Sequence, residues 1–513
     1  MSLFFNFKNA IQSIATSAIF VRAAAQKCLK TDADTDAGFA INQGPDASQP
    51  ASRQPATLVL FNYDWDQRAF AALAARWPQV SAGFDLFTFP SNAQLAWFDM
   101  ARFTDQWARR AKRLNLHAVV SNHEQFGALA AALLAERMGW PGTSVNAVLA
   151  CQHKLYAREV LAQVCPEANV PFARLQAEYG GPVPTDLRYP LFVKPVKAAF
   201  SVLARTVHSQ DELHRHTRFG GWELWIIRHL VEPFERVLRE RLPGVSSAHS
   251  LMVEQPVDAP QYCLDGYVFN GQLHRLGVVG VDMFPGTQAF MRWDYPSRLP
   301  TEAADRATEV ARRFLAAVGF THGLFNMEFF HDPNTGKLTV IEFNPRMAAQ
   351  FSDLYQRVDG VDLHAIALSL AHGQDPQTLP CARPTAGAAA SFVYRFFDPT
   401  RMPYMPNARQ RQALHQAFAD VLLLEFPKSK GATVRDYKWL GSYRYGIMHL
   451  GGADAADLRQ RCEQASAIVG WPAPYAELHS RGESHSLHQV RPVPLQHPAM
   501  SINASFTSSK EPI

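Results

Sequence analysis

The chain has 513 residues, 47% of them hydrophobic and 19% charged, with a formal net charge of +4. That length holds several domains with large buried cores, and the composition is that of an ordinary globular protein. So small a charge gives no ground for a nucleic-acid partner, and no basic stripe with interleaved aromatics occurs.

The first 31 residues carry no acid before Asp32. The uncharged stretch from Asn9 to Val21 is shorter than the roughly 20 apolar residues that span a bilayer, so no stable membrane insertion is expected. Ala23-Ala24-Ala25 resembles a cleavage site, and a loose amphipathic arm is the competing reading. From Thr31 to Pro55 the composition turns to Asp, Ala, Gln, Ser and Pro, so residues 1–55 read as an arm and linker. Ordered sequence begins at TLVLFNYD (57–64), an apolar run that stops at polar residues as a buried strand does. A helix (66–77), a strand (83–89), a helix (92–113), a strand (117–124) and a helix (125–139) follow. This alternation predicts a parallel α/β layer over 56–145. The basic run Arg102–Arg113 inside it has aromatics at helical spacing, which predicts the solvated face of an amphipathic helix. No GxGxxG follows the first strand.

After Pro141-Gly142 a helix carries Lys154. Strands are predicted at 191–196, 251–257, 262–269 and 272–284, then a helix at 301–318 and a hairpin at 324–344. A small α+β unit (376–475) closes the ordered region, and the Ser-, His- and Pro-rich tail from 476 to 513 reads as disordered. Six scattered cysteines form no CxxC pair, which points to a reducing, cytoplasmic setting rather than a disulfide or zinc framework. There is no HExxH, and His214 and His216 read as surface residues.

The chemistry concentrates in GLFNMEFFHDPNTGKLTVIEFNPR (323–346). DPNTGK is strong turn chemistry between two alternating runs. Phe325, Met327 and Phe329 share one face of the first strand, and Asn326 and Glu328 the other. With the turn centred on Thr335, Glu328 lies opposite Glu342 and Asn326 opposite Asn344. Opposed acids repel, so a hard cation such as Mg²⁺ or Mn²⁺ is the natural partner. A solvent-facing polar side of an edge hairpin would show the same alternation, and a one-residue slip would spoil the alignment.

This stretch resembles the metal-binding hairpin of the ATP-grasp superfamily. The resemblance implies that Glu328, Glu342 and Asn344 hold the magnesium ions bridging the ATP phosphates, and that Arg346 of Asn-Pro-Arg steadies the acyl phosphate. Other parts occur in the family's order. Lys154 and Lys194 match lysines that reach ATP phosphates, and Ser201 matches a serine of the phosphate loop. Glu254, Gln255 and Val257 match the hinge that clamps adenine, and Gln261 stands where a ribose-binding glutamate is common. Two departures stand out: Val196–Val202 contains no glycine, and Gln261 brings no charge. The implied architecture is a Rossmann-like pre-ATP-grasp domain (56–145), a two-subdomain ATP-grasp fold (146–375) and the small C-terminal α+β unit.

The implied activity is an ATP- and Mg²⁺-dependent, ADP-forming ligase that activates a carboxylate as an acyl phosphate and couples it to an amine. A biotin carboxylase-like enzyme and a non-catalytic ATP-binding protein are the alternatives. Arg292, with Phe290 nearby, is the candidate anchor for a substrate carboxylate, and a surface arginine in a loop is the competing reading. The expected partners are small-molecule carboxylate and amine substrates, with a homodimer as the candidate assembly.

Overall fold

Three sheets organise the residues that a computed structural model of the chain describes: 54–86, 91–175, 177, 179–198, 203–400, 402–426 and 430–476. The expected arm and tail therefore lie almost wholly outside the described residues, as does Ser201. Among the described residues no helix is long and apolar enough to cross a membrane.

The first sheet is parallel, with β1 (Ala56–Leu60) between β2 (Gln79–Ala82) and β3 (Leu116–Val120). Every residue of β1 is buried, as its apolar run predicts. The expected strand at 83–89 is displaced: β2 ends at Ala82. Gly83 has φ +116°, and a Cβ there would lie 2.8 Å from the Phe61 ring, so the chain turns away at a glycine the apolar pattern had read through. The basic run lies largely on the helix Met100–Ala111, where Asp99 accepts the Arg102 N–H at 2.8 Å while Phe103 and Trp107 are buried. The helix Gly127–Met138 ends on Gly139 in the left-handed region.

The helix expected around Lys154 is two helices, Val145–Gln152 and Lys154–Val164, meeting at His153. His153 Nδ1 accepts the Tyr156 N–H at 3.0 Å, and its other ring nitrogen lies 2.8 Å from the Ser246 carbonyl. This buried cap starts the second helix at Lys154. An antiparallel sheet follows in the order β4-β7-β5-β6, from β4 (Phe172–Leu175), β5 (Leu191–Pro195), β6 (Arg205–Val207) and β7 (Leu251–Glu254). The long helix Gly221–Arg241 lies between β6 and β7 in the chain.

The third sheet has eight strands. They are β8 (Gln261–Phe269), β9 (Gln272–Met283), β10 (Phe290–Tyr295), β11 (Gly323–His331), β12 (Leu338–Asn344), β13 (Ala388–Phe396), β14 (Leu422–Glu425) and β15 (Tyr443–Gly452). Their order is β12-β11-β8-β9-β10-β13-β15-β14. The C-terminal unit thus does not build a sheet of its own, because its three strands extend the one that begins with the hairpin. One face packs Phe325, Met327, Phe329 and Phe343 against the helix Thr301–Ala317, with Phe314 and Phe343 stacked at 3.8 Å. The other face packs Cys263, Val279, Trp293 and Val393 with the helices Ser352–Asp359 and Leu363–Ala371.

Candidate functional site

The hairpin pairs as its alternation predicts: Asn326 opposite Asn344, Met327 opposite Phe343, and Glu328 opposite Glu342. Beyond Glu342 the register shifts, with Phe329 opposite Val340. A bulge at Ile341 takes up the extra residue, so the turn end is offset by one residue while the acids stay aligned. Met327 and Phe329 are fully buried and pin that register, since a slip would turn them outward.

Burial and the facing Glu342 charge push Glu328 up to about 8. Gln261, from β8, donates to Glu328 Oε2 at 2.9 Å, which brings its amide to the hairpin acid. The Asn344 amide lies 3.3 Å from Glu328 on one side and 3.3 Å from Glu124 on the other. Behind them Asp265 is buried, accepting from Asn326 at 3.0 Å and from the Tyr355 hydroxyl at 2.9 Å. Burial pushes Asp265 up to about 7.

Cations from two elements pair with the acids in this region. Lys154, the first residue of its helix, pairs with Glu342. Its pKa is raised: burial pulls it down, and Glu342 and Glu124 outweigh that. Lys194 on β5 lies 2.8 Å from Glu254 at the end of β7, and Arg158 reaches the same Glu254 oxygen at 2.6 Å. Arg158 also donates to the Val340 carbonyl at 2.6 Å and the Ile341 carbonyl at 3.2 Å, tying the hairpin bulge to the Lys154–Val164 helix. Glu254 therefore acts as a counter-charge through its side chain. Gln255 N–H donates to Pro171 O at 3.0 Å, and Gln255 and Val257 line a cleft with Val170, Phe330 and Thr339.

Arg346 lies 2.5 Å from Glu124, which follows β3 in the first sheet. Burial pushes the Glu124 carboxyl up, but Arg346, Lys154 and Lys197 together hold it below its ordinary range. Lys197 is a site residue that sequence reasoning missed. It is 2% exposed, and its ammonium lies 5.1 Å from the centre of the Phe234 ring and 3.4 Å from the Glu124 carbonyl. Burial brings it down to about 8 against the pull of Glu124. Lys194 sits at about 8 for the same first reason.

Arg292 stands apart. It faces Phe392 on β13, on the side of the sheet opposite the hairpin acids, and its charge is held by Asp282 and by Asp294 at 2.9 Å. Its guanidinium lies 4.5 Å from the centre of the Tyr475 ring. The segment around it is a strand, not the loop that Pro285-Gly286 suggests. Phe290, shifted by a bulge before Arg292, lies on the other face, 5.0 Å from Trp293.

Oxygen donors alone, two opposed carboxylates and an amide, suit a hard cation that completes its shell with phosphate oxygens and water. Among the described residues no group of three His, Cys, Asp or Glu gathers for a metal; a Mg²⁺ shared with a nucleotide needs only one or two protein carboxylates.

Lys154 and Arg158, on one helix, join the hairpin of the large sheet to Glu254 at the end of a strand of the smaller sheet, where Lys194 also pairs. Residues 187–353 match the family model of the ATP-grasp domain. The chain carries an ATP-grasp domain and has the fold of the ATP-grasp ligases. Among solved structures it is similar to an L-amino acid ligase from Bacillus licheniformis, with TM-score 0.58 and 15% identity over 81% of this chain and 98% of that one. Biotin carboxylase from Campylobacter jejuni gives 0.52 and 13%, over 81% and 92%. In sequence it is 25% identical to the uncharacterized protein y4rH of Sinorhizobium fredii, over 75% of this chain and 74% of that protein. It is 28% identical to carnosine synthase 1 of Gallus gallus over 52% of this chain, a match spanning 28% of that protein.

Proposed function

We propose that the protein is an ADP-forming carboxylate–amine ligase that uses ATP with Mg²⁺ or Mn²⁺. The observation that carries this reading is Lys154 paired with Glu342 opposite Glu328, with Lys197 and Arg346 in the field of the same acids. In this account the lysines hold the nucleotide phosphates, and Glu328, Glu342 and Asn344 hold the cation that neutralises them. Arg346 spans the substrate carboxylate and the phosphoryl group as they react, since its planar five-donor fork matches both. A carboxylate oxygen attacks the terminal phosphorus and ADP leaves; the amine then attacks the acyl carbon, phosphate leaves, and the amine loses a proton. The likeness to an L-amino acid ligase and to carnosine synthase supports an amine acceptor. Unpaired cysteines, with Cys381 exposed and Cys151, Cys165, Cys263 and Cys462 buried, and ATP consumption fit a cytoplasmic setting.

A nucleotide-binding protein without turnover is favoured by one feature, the lack of glycine between Val196 and Val202, where backbone N–H groups would approach phosphates. A panel of carboxylates and amines scored for ADP release separates the two. Release that needs both substrates supports the ligase, and binding of ATP without release under every pairing overturns it.

A further inference from the structure

Arginines drawn into this protein's interior have carboxylate partners: Arg158 with Glu254, Arg292 with Asp294, Arg346 with Glu124, and Arg357 with Asp353. Two partly buried arginines break the pattern. Arg395 on β13 and Arg444 on β15 stand directly opposite one another in the antiparallel register, where like charges repel. Among the described residues neither has a carboxylate within ion-pair distance. Arg395 donates to the Ser442 hydroxyl at 3.0 Å, and its Nε is buried without an acceptor. Arg444 lies 4.7 Å from the centre of the Phe426 ring. Asp436, on the helix Lys430–Leu440, is an acid whose field reaches both arginines without an ion pair to either. Burial first, then Arg444, brings Arg395 down to about 9.

The pair also faces the right way. Val393, two residues before Arg395, packs in one cluster with Trp293 and Cys263, and Cys263 lies opposite Glu328. Strand alternation puts Arg395 on the side of the sheet that bears the hairpin acids. Phe397, 37% exposed, meets Phe284 edge-on at 5.3 Å beside it. Lys438, on the helix that carries Asp436, pairs with Glu223 of the helix Gly221–Arg241.

We propose that Arg395 and Arg444 hold an oxyanion on the hairpin side of the large sheet, either a carboxylate carried by a substrate or free phosphate. Arg395 and Arg444 pair across the two strands at a register shift, so two guanidinium forks from neighbouring strands would close on one oxyanion, each offering paired N–H donors. An anion there removes the repulsion and satisfies the orphaned Nε.

The test compares the full chain with Arg395→Gln/Arg444→Gln. In a thermal-unfolding arm, sodium phosphate and sodium acetate are compared with sodium chloride at equal ionic strength. The wild type should melt higher with an oxyanion, and the double variant should lose that response. In chloride the double variant should melt no lower than the wild type, because the repulsion is gone. Equal oxyanion responses in both proteins, or a double variant that melts well below wild type in chloride, would overturn the site. Arg444→Lys, which keeps the charge, should retain part of the response and guards against misfolding. A second arm, which rests on the ligase reading as the first does not, measures ADP release with an amino acid and with its amide as the amine. A rise in KM of about tenfold or more for the amino acid alone, the scale of one charge-assisted contact, assigns the anion to the substrate. Unchanged KM values together with protection by phosphate assign it to free phosphate.

Discussion

Lys194 Nζ lies 2.8 Å from Glu254 Oε1, so the last residue of β7 neutralises the lysine of the neighbouring strand. Arg158 shares the same oxygen. Burial raises the Glu254 carboxyl, but Lys194 and Arg158 outweigh it and set it at about 2, against an ordinary 4.5.

Glu254→Gln should therefore destabilise the fold by about 3–5 kcal/mol at neutral pH, because it leaves two buried cations without their anion. The sign with pH follows from the depressed carboxyl. Its stabilisation is whole above the unfolded value near 4.5 and is lost as pH falls toward 2. Urea unfolding at several pH values should show wild type and variant converging over that window. A constant gap down to pH 2 would mean the carboxylate charge is not what matters.

Lys197→Met should behave in the opposite way. No carboxylate is lost with it, and methionine fills much of the same space against Phe234. Thermal stability should hold or rise. ADP release should fall on the order of 10²-fold if the ammonium takes charge from the transferring phosphoryl group. Full activity in a well-folded Lys197→Met protein would reduce the lysine to packing.

Arg346→Ala and Lys194→Ala separate chemistry from binding. On the proposed reading the arginine meets charge that redistributes during transfer, and the lysine meets phosphate already present in the ground state. Arg346→Ala should lower kcat by on the order of 10²-fold with ATP affinity little changed. Lys194→Ala should weaken ATP binding, read by calorimetry beside steady-state kinetics. Loss of ATP binding with kcat kept in Arg346→Ala would make the arginine a ground-state anchor.

The hairpin was legible because period-two alternation and a strong turn encode it locally. Even its inner register was readable, and only the bulge at Ile341 was not, since nothing in VIEF marks which residue will be extra. Lys154 and Lys194 were readable from their order along the chain. Glu124 was not, because it meets Arg346 across 222 residues and no spacing rule reaches that far. Lys197 was hidden by its neighbour: next to a motif lysine, a second lysine looks like surface charge, and only the fold shows it buried. Arg292 misled for a related reason. Pro285 and Gly286 announce a loop, but the strand starts at Phe290, and the alternation that turns Arg292 from the hairpin face is offset by a bulge. The opposed arginines 395 and 444 are likewise a product of strand pairing, invisible until β13 and β15 are set side by side.

The account stands most directly on the nucleotide product formed when ATP, Mg²⁺, a carboxylate and an amine are all present. On the proposed ligase reading, with Glu328 and Glu342 opposed and Lys154, Lys197 and Arg346 around them, ADP and phosphate should appear in equal amounts with the amide product. Glu342→Gln, folded as judged by circular dichroism, should abolish that release even at saturating Mg²⁺, a loss of several kcal/mol of transition-state stabilisation. AMP and pyrophosphate as direct products, or undiminished turnover by Glu342→Gln, would contradict it.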